Sequence, residues 1–185
     1  NENESSLATI GDTVTLEITA AEEITEPEIT IAGENATIIN DEDSNATTWQ
    51  AEYTMQSGDN AGEIDFIVDY QDLAGNAGTQ LTETTDDSKV TYDESQPAGY
   101  SVSIDQDYIN LSNQTAMSFT FQGAEVDSTY NYTIDDEEDN TIAITGNGTV
   151  TAADETIIGI DVSNLSDGEL NLTVTLTDDA GNQGS

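Results

Sequence analysis

The chain has no cysteine, no histidine and no arginine, and Lys89 is its only cationic side chain. Each absence removes a chemistry. Without cysteine no disulfide can staple the fold. A bound metal can do that work instead, so the lack says nothing about compartment. Without histidine and cysteine there is no Ser-His-Asp arrangement, no Cys-His pair and no histidine metal site. Without arginine there is no cationic clamp for a phosphoryl or acyl transition state. A chain with one lysine cannot neutralise phosphates or gain from counterion release, which excludes nucleic acid as a partner. Anionic membrane surfaces are disfavoured on the same ground. No run is long or apolar enough to insert in a membrane, and none of these residues is expected to act as a signal peptide. The chain starts at Asn1 and not at Met, as expected of a processed product or an excised piece.

What is present is carboxylate. Asp and Glu number 39 and set a formal net charge of −38 over 185 residues. Self-repulsion of that size opposes compaction, so bound cations, salt or even spacing of charge must offset it. Only 35% of residues are hydrophobic, which on composition alone leans towards disorder. Their arrangement argues the other way, because they alternate with period two and include Trp, Tyr and Phe. Carboxylate-only catalysis of the glycosidase kind would survive these absences. With so many acids, however, suitably spaced pairs arise by chance, and the chain is expected not to be an enzyme.

The alternation falls into two sets. Val14, Leu16 and Ile18 share a face, as do Trp49, Ala51 and Tyr53, and then Ile64, Phe66, Val68 and Tyr70. After residue 93 the pattern resumes with Tyr100, Val102 and Ile104. Met117, Phe119 and Phe121 follow, then Tyr130, Tyr132 and Ile134, then Ile158 and Ile160, then Leu170, Leu172, Val174 and Leu176. Turn signals separate the runs, and residues 135–140 read as an acidic hairpin tip. No amphipathic helix is predicted; residues 154–160 and 163–168 could hold one helical turn each.

One pattern recurs. Asp72-Leu73-Ala74-Gly75-Asn76-Ala77-Gly78 and Asp178-Asp179-Ala180-Gly181-Asn182-Gln183-Gly184 lie 106 residues apart. Together with the alternation, this predicts an all-β chain of two tandem immunoglobulin-like β-sandwiches, residues 1–92 and 93–185. The first turn is followed by enough chain for a closing strand. The second is not, so the second sandwich is expected to lack its last strand here, leaving an edge open to pairing.

Hard cations are the natural counterpart of such a chain, since calcium takes carboxylate and carbonyl oxygens in flexible geometry. Asp69, Asp72 and Asn76 lie at the end of a strand and its turn, Glu22 ends a strand assigned to the same pole, and Asp93 opens the second unit. These five are the predicted metal ligands, with Ca2+ stiffening the junction between units. The competing reading is that Asp72 and Asn76 simply cap a turn, with Gly75 supplying a positive φ.

The two turns, with Asp93-Glu94-Ser95-Gln96-Pro97 after the first, resemble the tandem bacterial immunoglobulin-like repeats of large cell-surface adhesins. Ile31-Ala32-Gly33, residues 49–54 from Trp49 to Thr54, and Leu165-Ser166-Asp167-Gly168 are similar as well. The resemblance implies an extracellular, non-catalytic sandwich array at the cell surface, with calcium at inter-repeat junctions, which by position falls on Asp72 and Asp93. The implied partners are neighbouring repeats or subunits of the same protein, with a cell-surface or carbohydrate ligand reached through other domains. The alternative is a subunit of a filament, pilus or surface layer assembled by β-strand complementation. A carbohydrate-binding module is the weaker reading, because the alternation puts Trp49, Tyr53 and Tyr70 in a core.

Asn-x-Ser/Thr occurs nine times, at Asn3, Asn35, Asn45, Asn110, Asn113, Asn131, Asn147, Asn164 and Asn171. That many sequons suit a glycosylated surface protein, although a β-protein rich in Asn, Ser and Thr generates them freely. Asn131 and Asn171 fall within predicted strands. Lys89 could form an isopeptide crosslink only if buried, and its place after Asp86-Asp87-Ser88 predicts exposure.

Overall fold

A computed structural model describes residues 6–39, 46–136 and 142–184. Among them every regular element is a strand. The chain divides into two compact units, Asn1–Glu94 and Ser95–Ser185.

In the first unit, β1 is Leu7–Ala8, β2 Thr13–Thr19, β3 Glu28–Ile31, β4 Glu34–Asn35, β5 Thr37–Ile39, β6 Thr48–Thr54, β7 Gly62–Glu63, β8 Phe66–Asp69 and β9 Thr91–Tyr92. The sheets are ordered β2-β6-β5, β4-β3-β8 and β1-β9-β7. β2 and β6 are antiparallel, with Thr13 opposite Thr54 and Thr19 opposite Thr48, and these pairs mark the two ends of the unit. Ile29 and Ile31 from β3, Val68 from β8 and Ala51 from β6 form the core. Trp49 is buried, while Tyr53 and Tyr70 pack against the core half-exposed. A separate small cluster of Ala8, Met55 and Tyr92 closes the Thr54 end.

The second unit has two sheets, ordered β10-β11-β14 and β13-β12-β15-β16. β10 is Ser101–Ile104, β11 Met117–Gln122, β12 Thr129–Asp135, β13 Ile144–Thr149, β14 Thr156–Ile160, β15 Asn171–Thr177 and β16 Gln183–Gly184. Met117, Phe119 and Phe121 of β11 face Tyr130 and Ile134 of β12 and Leu176 of β15 across one core, which makes the unit a sandwich. Phe119 meets Phe121 and Tyr132 edge-on, with ring centroids 5.5 and 5.3 Å apart, a preferred aromatic geometry. The tyrosine rings need room on the neighbouring strand. Tyr130 stands opposite Gly148 and Tyr132 opposite Gly146. A Cβ on either glycine would fall about 2.5 Å from the ring it faces.

Two details depart from expectation. Residues 156–160 form a strand, β14, as the alternation predicts, but its inward residues are Ile157 and Ile160, paired with Phe119 and Met117 across a register shift, while Ile158 is exposed. Of the predicted acidic tip only Asp135 and Asp136 lie within the described residues. Asp136 is buried and accepts the Ser166 N–H. Asn3 and Asn45 of the sequons also lie outside the described residues.

Candidate functional site

The recurring turn is the most chemically loaded local structure, and its two copies have the same wiring. In the first, Asp72 Oδ1 accepts the main-chain N–H groups of Ala74 at 2.9 Å and Asn76 at 2.8 Å. Asp72 Oδ2 accepts the Asn76 side-chain amide at 2.7 Å. In the second, Asp178 Oδ1 accepts Asn182 N–H at 2.8 Å and Oδ2 accepts the Asn182 amide at 3.0 Å. The main chain closes both: Asp72 N–H to Asn76 C=O and Gly75 N–H to Asp72 C=O, with Asp178, Asn182 and Gly181 repeating the pair. Gly75 and Gly181 sit at φ +86° and +96°, which favours glycine.

The last glycine of the motif has a different reason. A Cβ on Gly78 would land 2.2 Å from the Tyr70 ring, and one on Gly184 would land 1.9 Å from the Pro97 carbonyl oxygen. Both glycines sit where the chain, having turned, lies down against its own sandwich. Gly78 N–H donates to Tyr70 C=O, and Gly184 pairs with Leu176.

The five predicted metal ligands do not converge. Glu22, Asp72 and Asn76 line one cavity of about 400 Å³, with Ile18, Val68 and Leu81 among its apolar walls. Asp69 points to the outer face of β8 and takes the Gln80 amide on both oxygens, at 3.0 and 3.1 Å. Asp93 is at the opposite end of the unit. Its N–H donates to Ala8 C=O, beside the Ala8–Met55–Tyr92 cluster. Asp72, in contrast, bridges Ile24 at the Thr19 end. The antiparallel register puts the ends of the first unit a whole strand apart, and linear order alone hides this. Among the described residues no three Asp or Glu side chains come together. The three hydrogen bonds to Asp72 occupy most of the lone-pair capacity of its two oxygens. Of the five, the structure brings Glu22, Asp72 and Asn76 to one cavity, with Asp72 engaged by its own turn.

Those hydrogen bonds also set the acidity of Asp72. The Asn76 side-chain amide first, and then the Asn76 main-chain N–H, hold its carboxyl below the ordinary carboxylate value. A depressed folded-state pKa contributes stability that is present above the unfolded pKa, about 3.9, and is lost as pH falls through the folded value. Asp72→Ala is accordingly expected to lower the first unit's melting temperature by a few degrees near neutrality. The gap from wild type should narrow progressively as pH is taken below the unfolded carboxyl value, about 3.9. Trp49, the chain's only tryptophan, lies in this unit, so its fluorescence reads the transition. An unchanged midpoint near neutrality would show that the clamp contributes nothing.

Lys89 is exposed and pairs with Glu63 at 2.8 Å, a position unsuited to an isopeptide bond. Of the described sequon asparagines, Asn35, Asn110, Asn131, Asn147, Asn164 and Asn171 are exposed and Asn113 is half-buried.

No family model matches the sequence, and no curated protein matches it. Among solved structures, the chain is similar to a tetra-tandem repeat in the extending region of a large adhesion protein. The identity is 23%, the TM-score is 0.42, and the match covers 92% of this chain and 43% of that one. The chain thus spans less than half the length of that solved chain.

Proposed function

We propose that this chain is an extending repeat module of an extracellular, cell-surface adhesin, without catalytic activity of its own. The supporting observation is the repeat itself. Two compact all-strand units recur at a fixed spacing, and each passes to its closing strand through the same Asp-clamped, glycine-relieved turn. A turn whose functional groups are spent on its own main chain is a structural joint and leaves little for a substrate. The acidic surface gives such a module solubility and resistance to collapse between neighbours. Calcium enters this reading as a mobile counter-charge to the carboxylates. The nearest partners are further units of the same kind.

Two measurements test it. Antibodies raised against the chain should label intact cells of its source; labelling only after permeabilisation would refute the surface assignment. Melting in CaCl2 and in NaCl of equal ionic strength separates bound from mobile cations. Closely similar midpoints are expected for a mobile counter-charge, and a midpoint raised at micromolar calcium would instead establish a specific site.

A further inference from the structure

Two of the sequons lie on neighbouring strands of the second unit, Asn131 in β12 and Asn147 in β13. Strand geometry does not close such a site. Residues i and i+2 leave a strand on the same side, so an Asn-x-Thr tripeptide presents its asparagine and its threonine together. Asn131 and Thr133 are both exposed, and so are Asn147 and Thr149. The residue between them turns inward: Tyr132 packs against the core, and Gly148 stands opposite Tyr130. Asn113 shows the contrast. It is half-buried, and its side-chain amide donates to the Tyr108 carbonyl at 3.0 Å.

Register brings the two open sequons together. Asn131 stands directly opposite Asn147 in the antiparallel pair. Residues so placed have Cβ atoms about 4.5–5.5 Å apart. A sugar ring is wider than that gap, so a ring on one amide fills the space in front of the other. The two positions are not equivalent. β12 is central in its sheet, and Asn131 has Thr175 of β15 on its other side. β13 stands at the end of the sheet order, and Asn147 lies between Gly146 and Gly148. Glycine within a strand weakens it, so the backbone round Asn147 is the easier to lift into an enzyme. The flanking rungs are threonine throughout: Thr129 with Thr149 and Thr177, Thr133 with Thr145 and Thr173. The outer face of β2 and β6, in contrast, carries Glu17 and Glu52. A sugar lying across the threonine rungs meets hydroxyl groups and not charge.

We propose that Asn131 and Asn147 are a mutually exclusive pair of N-glycan acceptors, and that Asn147 is the one modified. The inference rests on the cell-surface reading, because sequons are used in exported proteins. In the transfer, Nδ2 of the asparagine attacks C1 of a sugar carried on a lipid phosphate. The C1–N bond forms as the C1–O bond to phosphate breaks. The electron pair of that bond leaves with the phosphate, and one amide proton passes to a base of the transferase. This chain supplies the acceptor alone; the lipid-linked sugar and the transferase are the cell's.

The test takes the full protein from its source cells and digests it after acidic residues. Asp135 and Asp136 lie between the two sequons, so the asparagines fall on separate peptides. Mass spectrometry then gives the occupancy of each. The expected result is sugar on Asn147 in most chains, with the two occupancies summing to no more than one per chain. In Asn147→Gln, expressed in the same cells, occupancy of Asn131 should rise severalfold. A sum well above one, or Asn131 still bare in the variant, would overturn the exclusion. Sugar mainly on Asn131 in the wild type would overturn the choice of Asn147. Both asparagines bare would overturn the acceptor pair. Cell-surface labelling is read separately: surface-labelled protein with this pair bare refutes the present inference alone, whereas labelling only after permeabilisation refutes the functional reading.

Discussion

Replacing Phe119 by alanine is expected to lower the second unit's melting temperature by more than about 12 °C and to leave the Trp49 fluorescence transition of the first unit where it was. Phe119 is fully buried at the centre of the aromatic cluster, in contact with Phe121 and Tyr132. Its removal loses the burial of a whole ring and leaves a cavity that two edge-on neighbours cannot fill without abandoning their own geometry. Phe→Ala changes of this kind cost about 3–5 kcal/mol. A domain of this size holds only about 5–14 kcal/mol in total, so the variant sits near the limit of folding. Calorimetry records both transitions, and tryptophan fluorescence, which reports only the first unit, tells them apart. A shift of only a degree or two would mean that the core rearranges freely and that the cluster is loosely packed.

Lowering the ionic strength from about 1 M to about 10 mM is the second large perturbation. Over that range the distance at which charges feel one another grows from about 3 Å to about 30 Å. At the upper limit each carboxylate interacts with its immediate neighbours; at the lower, with most of its unit. With 39 acidic residues against one lysine, nearly every added pair is repulsive. Both transitions are expected to move down together and steadily as salt is withdrawn, and to recover on adding NaCl. The ion pair of the chain's one lysine, Lys89 with Glu63, is exposed and offsets little of this. Melting temperatures that do not respond to salt would show that the charges are spaced widely enough to ignore one another.

The sequence exposed the fold more fully than the site. Alternation at Met117–Phe119–Phe121 and Tyr130–Tyr132–Ile134 identified strands and their inward faces, because period-two burial is a local property. The recurring motif located the turns for the same reason: a clamp between Asp72 and Asn76 is closed within five residues. What it could not convey was which ends of strands meet. Asp93 and Asp72 belong to opposite ends because β2 and β6 pair with Thr13 against Thr54, a fact of register. Asp136 reads as one more acid in a polar tip, yet it is buried against the Ser166 main chain, 30 residues on. The final glycine of each motif was conspicuous by recurrence, but its cause, the Tyr70 ring in one unit and the Pro97 carbonyl in the other, exists only in the folded chain.

The lone lysine carries a consequence of another kind. A protease that cuts only after basic residues finds one cleavable bond in the whole chain, the one following Lys89. That bond lies beside Asp86 and Asp87 and just ahead of β9, so a cut there would part Tyr92 from the rest of its unit. Everywhere else, trypsin-like digestion has nothing to hold. If the chain stands at the cell surface as proposed, near-total loss of cationic side chains is a form of armour as well as a burden of charge.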